Sequence, residues 1–140
     1  MISAKELLNG ATLEEGESLV TPNNKYHLDM QKDGNLVLYR HADPLRHIGK
    51  GRDIWNSGTY NKGSGPYKLV MQTDHNLVVY QGNGGAIWAS GTREDHPGRQ
   101  GRAVAILQND GNFVVYGNHG NEGRGADPKW STNTYENRGK

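Results

Sequence analysis

Apolar residues recur at every second position in three short stretches of the chain. The stretches are Tyr26-Leu28-Met30, Tyr67-Leu69-Met71 and Ala103-Ala105-Leu107. A period of two indicates a β-strand, because successive side chains of a strand point to opposite faces. After a short polar gap, each stretch is followed by a run of β-branched and aromatic residues, which is also typical of strands. These runs are Leu36–Tyr39, Leu77–Tyr80 and Phe113–Tyr116. The pattern predicts an all-β fold.

One unit is repeated three times along the chain. The phrase Gln-x-Asp-x-Asn-x-Val-x-Tyr begins at Gln31, Gln72 and Gln108, and we call each copy a motif. A second phrase, Trp followed by Ser or Thr residues, comes after each motif. Units of roughly 35–45 residues that recur in this way can close on themselves around a pseudo-threefold axis. We therefore expect residues 1–140 to form a single domain of three internal repeats.

The residues between each pair of strands are turn residues, and they set the side-chain parity. We expect Gln31 to lie opposite Asn35 across a three-residue loop that ends in a left-handed residue. Gly34 and Gly111 suit that conformation, and His75 tolerates it. Gln, Asn, Val and Tyr of each motif then share one face, and the aliphatic residues between them share the other. A two-residue Asp-Gly loop would mix the two faces, so we reject it.

Trp55, Trp88 and Trp130 occur once per unit. We expect them in the core, where three indoles that meet near the pseudo-threefold axis would supply apolar contact that the rest of the composition lacks. The chain has only 33% hydrophobic residues and 20 glycines among its 140 residues, which favours short strands and many loops over one large core.

The polar face of each motif matches the chemistry of a sugar. Gln and Asn both donate and accept hydrogen bonds, Asp accepts them, and Tyr offers one hydroxyl. An exposed Val beside these groups would pack on ring C–H groups. Four or five such bonds, less the cost of ordering, leave about 4 kcal/mol, which corresponds to millimolar affinity. Three linked sites would then raise the avidity by roughly 10²–10⁴.

Charge and composition exclude several other classes of protein. The net charge is +1, with acids and bases interspersed, and no nucleic-acid motif is present, so we expect no nucleic-acid partner. No apolar run is long enough for membrane insertion. The chain has no Cys, no signal-like N-terminus and no Asn-x-Ser/Thr acceptor. We expect a cytoplasmic protein on these grounds, with leaderless secretion as the alternative.

The triplicated motif with its Trp phrases resembles the bulb-type mannose-binding lectins first known from monocot plants. The resemblance covers nearly the whole chain, although the disulfide and signal peptide of plant members are missing. It implies a β-prism II fold, with three four-stranded antiparallel sheets and the Trp residues at the centre. It also implies mannose and mannosylated glycans as partners, with neither metal nor cofactor, and homodimerisation by exchange of a C-terminal strand as an option.

In that family, Asp and Asn bind the axial 2-hydroxyl of mannose, Gln binds the 3-hydroxyl, Tyr binds the 4-hydroxyl, and Val lies against the ring. We expect alanine at all three motif Asn residues to abolish mannose binding while the fold stays intact. The sugar-binding residues implied here are Gln31, Asp33, Asn35, Val37, Tyr39, Gln72, Asp74, Asn76, Val78, Tyr80, Gln108, Asp110, Asn112, Val114 and Tyr116.

Two other functions stay open at this point. The same prism can serve as a protein-interaction or antimicrobial module. An enzyme is disfavoured, since no catalytic motif is present and His41 with His47 is weak evidence for a metal. Three loops, 41–53, 93–102 and 117–129, either extend a site for oligosaccharides or are inert.

Overall fold

The computed structural model of the protein describes residues 5–41, 51–95, 102–119 and 127–136. The regular elements in these ranges are twelve short strands. No helix of the described chain is long and apolar enough to cross a membrane. The strands are β1 (Glu6–Leu7), β2 (Thr12–Glu14), β3 (Ser18–Val20), β4 (Tyr26–Met30), β5 (Leu36–Arg40), β6 (Arg52–Asn56), β7 (Lys68–Met71), β8 (Leu77–Tyr80), β9 (Ala86–Ala89), β10 (Arg102–Leu107), β11 (Phe113–His119) and β12 (Asp127–Ser131).

The strands form three antiparallel sheets of four strands each. The orders are β3-β4-β5-β6, β2-β7-β8-β9 and β1-β10-β11-β12, which we call the first, second and third sheets. Each sheet contains one motif hairpin at its centre, so the predicted all-β architecture of three four-stranded sheets is confirmed. The C-terminal strand β12 pairs with β11 of its own chain, and dimerisation by strand exchange stays a prediction.

The predicted three-residue hairpin loop is present in all three sheets. The backbone N–H of Gln31 donates to the carbonyl oxygen of Asn35 at 3.1 Å, and the equivalent bonds in the other hairpins measure 3.0 and 2.9 Å. The last loop residue is left-handed each time, with φ of 89° at Gly34, 77° at His75 and 92° at Gly111. Met30 consequently pairs with Leu36, and both are fully buried. The predicted parity of the faces is confirmed.

The fourth strand of each sheet comes from the N-terminal segment, which the sequence reading missed. β1 belongs to the third sheet, β2 to the second and β3 to the first. Residues 6–20 therefore contribute one strand to each sheet. Leu7, Leu13 and Leu19 stand six residues apart, and each is buried in a different sheet. Gly10 and Gly16 lie between them with φ of 86° and 88°. This spacing of six was the signal in the sequence for three short strands joined by tight turns.

The three indoles meet one another as predicted, but they are only partly buried and pack against the core rather than within it. Trp55, Trp88 and Trp130 contact one another edge to face, with ring centroids 5.3–5.7 Å apart. They lie opposite Leu38, Val79 and Val115 on the neighbouring strands. Edge-to-face contact places the positive edge of one ring on the negative face of the next, and all three rings satisfy this preference at once.

The predicted loops are shorter than expected. Arg52 and Asp53 belong to β6, Arg102 begins β10, and residues 117–119 and 127–129 continue β11 and β12. These strands extend beyond the motif because their backbone groups pair with those of the neighbouring strand in the same sheet. Residues 42–50, 96–101 and 120–126 of the three loops, which include His47, lie outside the described residues.

The first and third motif turns each pack against a tyrosine that begins or immediately precedes a strand in a neighbouring sheet. A Cβ at Gly34 would lie 2.7 Å from Cζ of Tyr67, and one at Gly111 would lie 2.6 Å from Cζ of Tyr26. Both tyrosines are buried. The second hairpin reverses this pairing of sizes, because His75 fills its own turn and is fully buried, while the position equivalent to the two tyrosines is Ala103. A small turn residue therefore accompanies a large neighbour, and a large turn residue a small one.

This packing predicts that two glycines of equal backbone conformation differ in their tolerance of alanine. Gly34 and Gly16 have φ of 89° and 88°, but a Cβ at Gly16 would meet nothing within 4 Å. We expect Gly16→Ala to cost about 1–2 kcal/mol of the free energy of unfolding, from the left-handed backbone alone. Gly34→Ala adds overpacking against Tyr67 and should cost about 1–3 kcal/mol more.

Urea unfolding of the two variants, followed by tryptophan fluorescence, measures the difference. Equal loss of stability in both variants would contradict the close packing of Tyr67 under the first motif turn.

Candidate functional site

The Gln and Tyr of each motif lie side by side on the outward face and are joined by a hydrogen bond. Gln31 Nε2 donates to the hydroxyl oxygen of Tyr39 at 2.5 Å, and Gln108 does the same to Tyr116 at 2.5 Å. Gln72 and Tyr80 make the equivalent bond. Because the Tyr oxygen accepts in this bond, each Tyr proton is directed away from the Gln amide group.

The motif Asp fixes the turn with one carboxylate oxygen. Oδ1 of Asp33, Asp74 and Asp110 accepts the backbone N–H of the motif Asn at 2.9 Å in every copy. A side chain that bonds its own backbone two residues on is an Asx turn, and it stabilises a tight loop. In the second motif the other oxygen, Oδ2 of Asp74, lies 3.8 Å from Nε of Arg93. The carboxylate thus combines a role in the turn with a negative charge at the surface.

The motif Asn joins its hairpin to the segment that follows the Trp-containing strand. Oδ1 of Asn35 accepts the backbone N–H of Thr59 at 3.1 Å, and the bonds from Thr92 to Asn76 and from Thr134 to Asn112 measure 3.2 Å. These bonds occupy the amide oxygen. Within the described ranges, no residue accepts a hydrogen bond from Nδ2 of the three Asn residues, so that NH₂ group can donate to a ligand.

A pair of hydroxyls beneath each motif completes this connection, and the sequence reading missed its role. In the first motif, Leu36 N–H donates to Ser57 Oγ at 3.0 Å, Ser57 lies 2.6 Å from Thr59 Oγ1, and Thr59 donates to the carbonyl of Gly34 at 2.6 Å. Thr59 has one proton and gives it to Gly34, so Ser57 is the donor between the two hydroxyls. The other pairs are Ser90 with Thr92 and Thr132 with Thr134. Their fixed position two and four residues after each Trp was the available signal.

The two roles of Asn correct one expectation. Alanine at Asn35, Asn76 and Asn112 was expected to leave the fold intact. Each substitution would remove the acceptor of the Thr N–H and loosen the contact between the hairpin and the Trp strand. A variant that retains that acceptor is therefore needed to separate binding from stability.

The motif Val is buried, which contradicts the expected exposed Val. Val37, Val78 and Val114 have only 3% of their surface exposed, although they lie on the outward face as predicted. Each Val stands between the motif Asn and Tyr on its strand. Because it is buried, it offers a ligand only a small apolar spot.

The three motifs differ in what lies beside them on the outward face. His27 pairs across the strand with Tyr39, and their rings stack with centroids 5.0 Å apart. The residues equivalent to His27 are Lys68 opposite Tyr80 and Val104 opposite Tyr116. The first motif thus has an aromatic and polar neighbour, the second a cationic one and the third an aliphatic one.

A short network of charges ties the C-terminal end to the third motif. Glu136 N–H donates to the carbonyl of Asp110 at 2.6 Å, and its carboxylate accepts from Tyr26 at 2.6 Å and pairs with Lys25. The hydrogen bond from Lys25 lowers the pKa of Glu136, whereas burial and then the Glu136 bond raise the pKa of Tyr26 above its ordinary range. A depressed carboxyl pKa stabilises the fold above the unfolded pKa, and this contribution is lost as pH falls through the folded value.

Metal ligation has no support in the described chain. Residues 5–41, 51–95, 102–119 and 127–136 contain no group of three or more His, Asp or Glu side chains that could hold a metal ion. His41 is buried, and its ring stacks on that of His27 with centroids 4.8 Å apart.

Each motif therefore presents an alternating set of acceptors and donors: the Gln oxygen, the Tyr hydroxyl, the Asp carboxylate and the Asn NH₂ group. Such a set, held rigidly by bonds to the turn and to the hydroxyl pair, is suited to a ring of vicinal hydroxyls, since each hydroxyl both donates and accepts. All five positions of the predicted motif are brought together on one face in each of the three sheets.

Comparison with known proteins identifies relatives along most of the chain. No protein-family model matches it. A B-type lectin, plumieribetin, from Scorpaena plumieri is 34% identical over 103 residues, which are 74% of this chain and 78% of that protein. A mannose-specific lectin from Aloe arborescens is 33% identical over 78% of this chain and 80% of its own length. The chain spans only about a third (34%) of a mannose-specific lectin from Colocasia esculenta, with 36% identity over 79% of this chain.

Solved structures give the same result for the fold. A monomeric monocot mannose-binding lectin from Gastrodia elata superposes with a TM-score of 0.73 and 36% identity, covering 94% of this chain and 99% of that one. The mannose-specific agglutinin of snowdrop (Galanthus nivalis), solved with methyl α-D-mannoside, superposes with a TM-score of 0.66 and 39% identity over 81% of this chain and 89% of that one.

Lectins are non-enzymatic carbohydrate-binding proteins, so the prediction that this chain is not an enzyme is confirmed by its relatives. The three sheets, the triplicated motif and these similarities agree. The chain belongs to the bulb-type mannose-binding lectin family and has its β-prism II fold.

Proposed function

We propose that the three motifs are mannose-binding sites and that each binds one terminal α-mannose of a glycan. The observation that carries the proposal is the threefold repetition of the same bonded cluster. Gln, Asp, Asn, Val and Tyr are present in every copy, with the same turn, the same Gln–Tyr bond and the same Asn–Thr bond. A hairpin turn alone requires none of the Gln–Tyr pairing. The mannoside complex of the snowdrop agglutinin supports mannose as the ligand.

The donors and acceptors of each site match the hydroxyls of mannose one by one. The Asn NH₂ group and the Asp carboxylate bind the axial 2-hydroxyl, which needs an acceptor for its proton and a donor for its oxygen. The Gln oxygen accepts from the 3-hydroxyl, and the Tyr hydroxyl donates to the 4-hydroxyl. The Asp bond is charge-assisted and is therefore the strongest of the set. Binding is metal-independent in this proposal, since the protein side chains supply every contact.

A single site of this kind is weak, and the number of sites compensates for it. Four or five hydrogen bonds at about 1 kcal/mol each, less the ordering costs, correspond to millimolar affinity. The buried Val reduces the apolar contribution further. Glycans that carry several mannose termini can engage more than one sheet or more than one molecule, which raises avidity by roughly 10²–10⁴ where the spacing permits it.

Substitution of the three Asp residues by Asn tests the sites with little change of shape. In Asp33→Asn, Asp74→Asn and Asp110→Asn combined, the side-chain oxygen can still accept the Asx-turn bond, but the charge and one acceptor for the 2-hydroxyl are lost. We expect isothermal titration calorimetry with methyl α-mannoside to give a stoichiometry of about three per chain for the unchanged protein. The triple variant should lose at least tenfold in affinity.

Asp95→Asn is the control, because it removes a carboxylate outside the motifs whose side chain lies near Arg93. Unchanged binding in the triple variant, with its fold retained by circular dichroism, would place the sugar site elsewhere. A glycan array without signal, together with capture of a defined protein partner, would favour the protein-interaction function instead.

The position of the Tyr hydroxyl predicts a preference for mannose over galactose. Tyr39, Tyr80 and Tyr116 are held at the same end of each cluster by the Gln bond, so they meet a 4-hydroxyl only where it is equatorial. In galactose that hydroxyl is axial, and we expect its affinity to fall by roughly tenfold or more. Elution of the protein from immobilised mannan by the two sugars measures the ratio. Equal elution by both would contradict the assignment of Tyr to the 4-hydroxyl.

A further inference from the structure

One residue beside each motif is held in a fixed place by two hydrogen bonds. It follows the Thr whose backbone N–H is bound by the motif Asn, and it precedes a residue whose N–H donates to the backbone carbonyl of the motif Asp. The second bond measures 2.6 Å from Asn61 to Asp33, 2.7 Å from Glu94 to Asp74 and 2.6 Å from Glu136 to Asp110. We call the residue between them the flanking residue.

The flanking residues are Tyr60 in the first site, Arg93 in the second and Tyr135 in the third. The two tyrosines have 63% and 42% of their surface exposed, and with Leu8 they are the exposed large hydrophobic residues of the described chain. Two aromatic rings are thus exposed to solvent at equivalent places beside two equivalent clusters, and the backbone of each is held by two hydrogen bonds, one on either side. Burial does not explain this, because a ring in solvent gains nothing from the hydrophobic effect.

Arg93 shows where a long side chain at this position reaches. Its Nε lies 3.8 Å from Oδ2 of Asp74, the outer carboxylate oxygen of its own motif. The three flanking positions have the same pair of backbone bonds, so we expect the side chains of Tyr60 and Tyr135 to start from the same place beside Asp33 and Asp110 as Arg93 does beside Asp74. The flanking side chain therefore forms the border of the site next to the Asp.

We propose that Tyr60 and Tyr135 are stacking platforms for a second sugar ring, the one linked to the mannose held by the first and third motifs. This inference rests on the proposed function of the motifs. The Asp side of the site is where the 2-hydroxyl of the terminal mannose is bound. C1 adjoins C2, so the sugar to which the mannose is linked through C1 passes over the flanking residue on that side. The C–H face of a pyranose packs on the face of an aromatic ring.

Tyrosine suits this task because it combines a large apolar ring with a polar tip and only two side-chain torsions. It loses little conformational entropy when it contacts a ligand. The second site lacks the platform, since Arg93 is engaged by Asp74 and by Asp95 at 3.2 Å. The three sites are then of two kinds: two that bind a disaccharide unit and one that binds mannose alone.

The test measures a monosaccharide and a disaccharide at one site at a time. In the double variant Asp74→Asn with Asp110→Asn, only the first site is unaltered. In that background we expect calorimetry to show roughly three- to tenfold tighter binding of at least one methyl α-mannobioside (1→2, 1→3 or 1→6 linked) than of methyl α-mannoside. Tyr60→Ala should abolish that preference and change the affinity for methyl α-mannoside by less than about twofold. Tyr60→Phe, which keeps the ring, should retain the preference.

A gain-of-function variant gives an independent answer. With Asp33→Asn and Asp110→Asn the second site alone is left, and here we expect no preference for any mannobioside. Arg93→Tyr in that background should create one. A mannobioside preference that survives Tyr60→Ala overturns the platform while the mannose sites stand. Absence of all mannoside binding in the unchanged protein overturns the proposed function itself, and the platform with it.

Discussion

Three hairpin turns with one geometry determine what each face of this protein presents. Side chains alternate between the two faces of a strand, so a shift of one residue in the pairing would exchange the buried and the exposed set. The left-handed residue at the end of each loop fixes the pairing at Gln opposite Asn. Met30 and Leu36 then enter the core, and Gln31 and Asn35 face outward. The polar clusters, the core and the position of the Trp strands all follow from that pairing.

The clusters are rigid because their parts serve the fold as well as the surface. One oxygen of the motif Asp closes the turn, and the amide oxygen of the motif Asn binds the segment that follows the Trp-containing strand. A hydroxyl pair such as Ser57 and Thr59 forms a chain of hydrogen bonds from the backbone of one strand to the turn. These side chains are thereby oriented before any ligand binds. Such preorganisation reduces the ordering cost, which matters where the sites are individually weak.

The threefold symmetry is approximate, and its deviations are informative. In the core they are compensated locally: Tyr67 fills the space above Gly34, and His75 fills its own turn where the neighbouring residue is Ala103. On the surface nothing requires compensation, so neighbours of the motifs differ freely. His27, Lys68 and Val104 flank the three Tyr residues, and Tyr60, Arg93 and Tyr135 flank the three Asp residues. The three copies of the motif thus have different borders, and under the proposed function differences in oligosaccharide preference would arise there.

The elements that depend on local rules could be predicted from the amino-acid sequence. Alternation gave the central strands, turn residues gave the hairpin register, and the triplicated Gln-x-Asp-x-Asn-x-Val-x-Tyr phrase located all fifteen candidate residues on one kind of face. Tertiary structure decided what depends on contacts between distant segments. The N-terminal strands are only two or three residues long, too short for an alternating pattern, and they exist because each completes a different sheet around one buried Leu. Val37 is buried although it lies on the outward face, and Asn35 has a structural bond because Thr59 is brought to it from twenty-four residues away. Parity is a property of one strand and can be counted along the chain. Burial and hydrogen-bond partners depend on the other strands, and they are defined only once the three sheets have closed around their tryptophans.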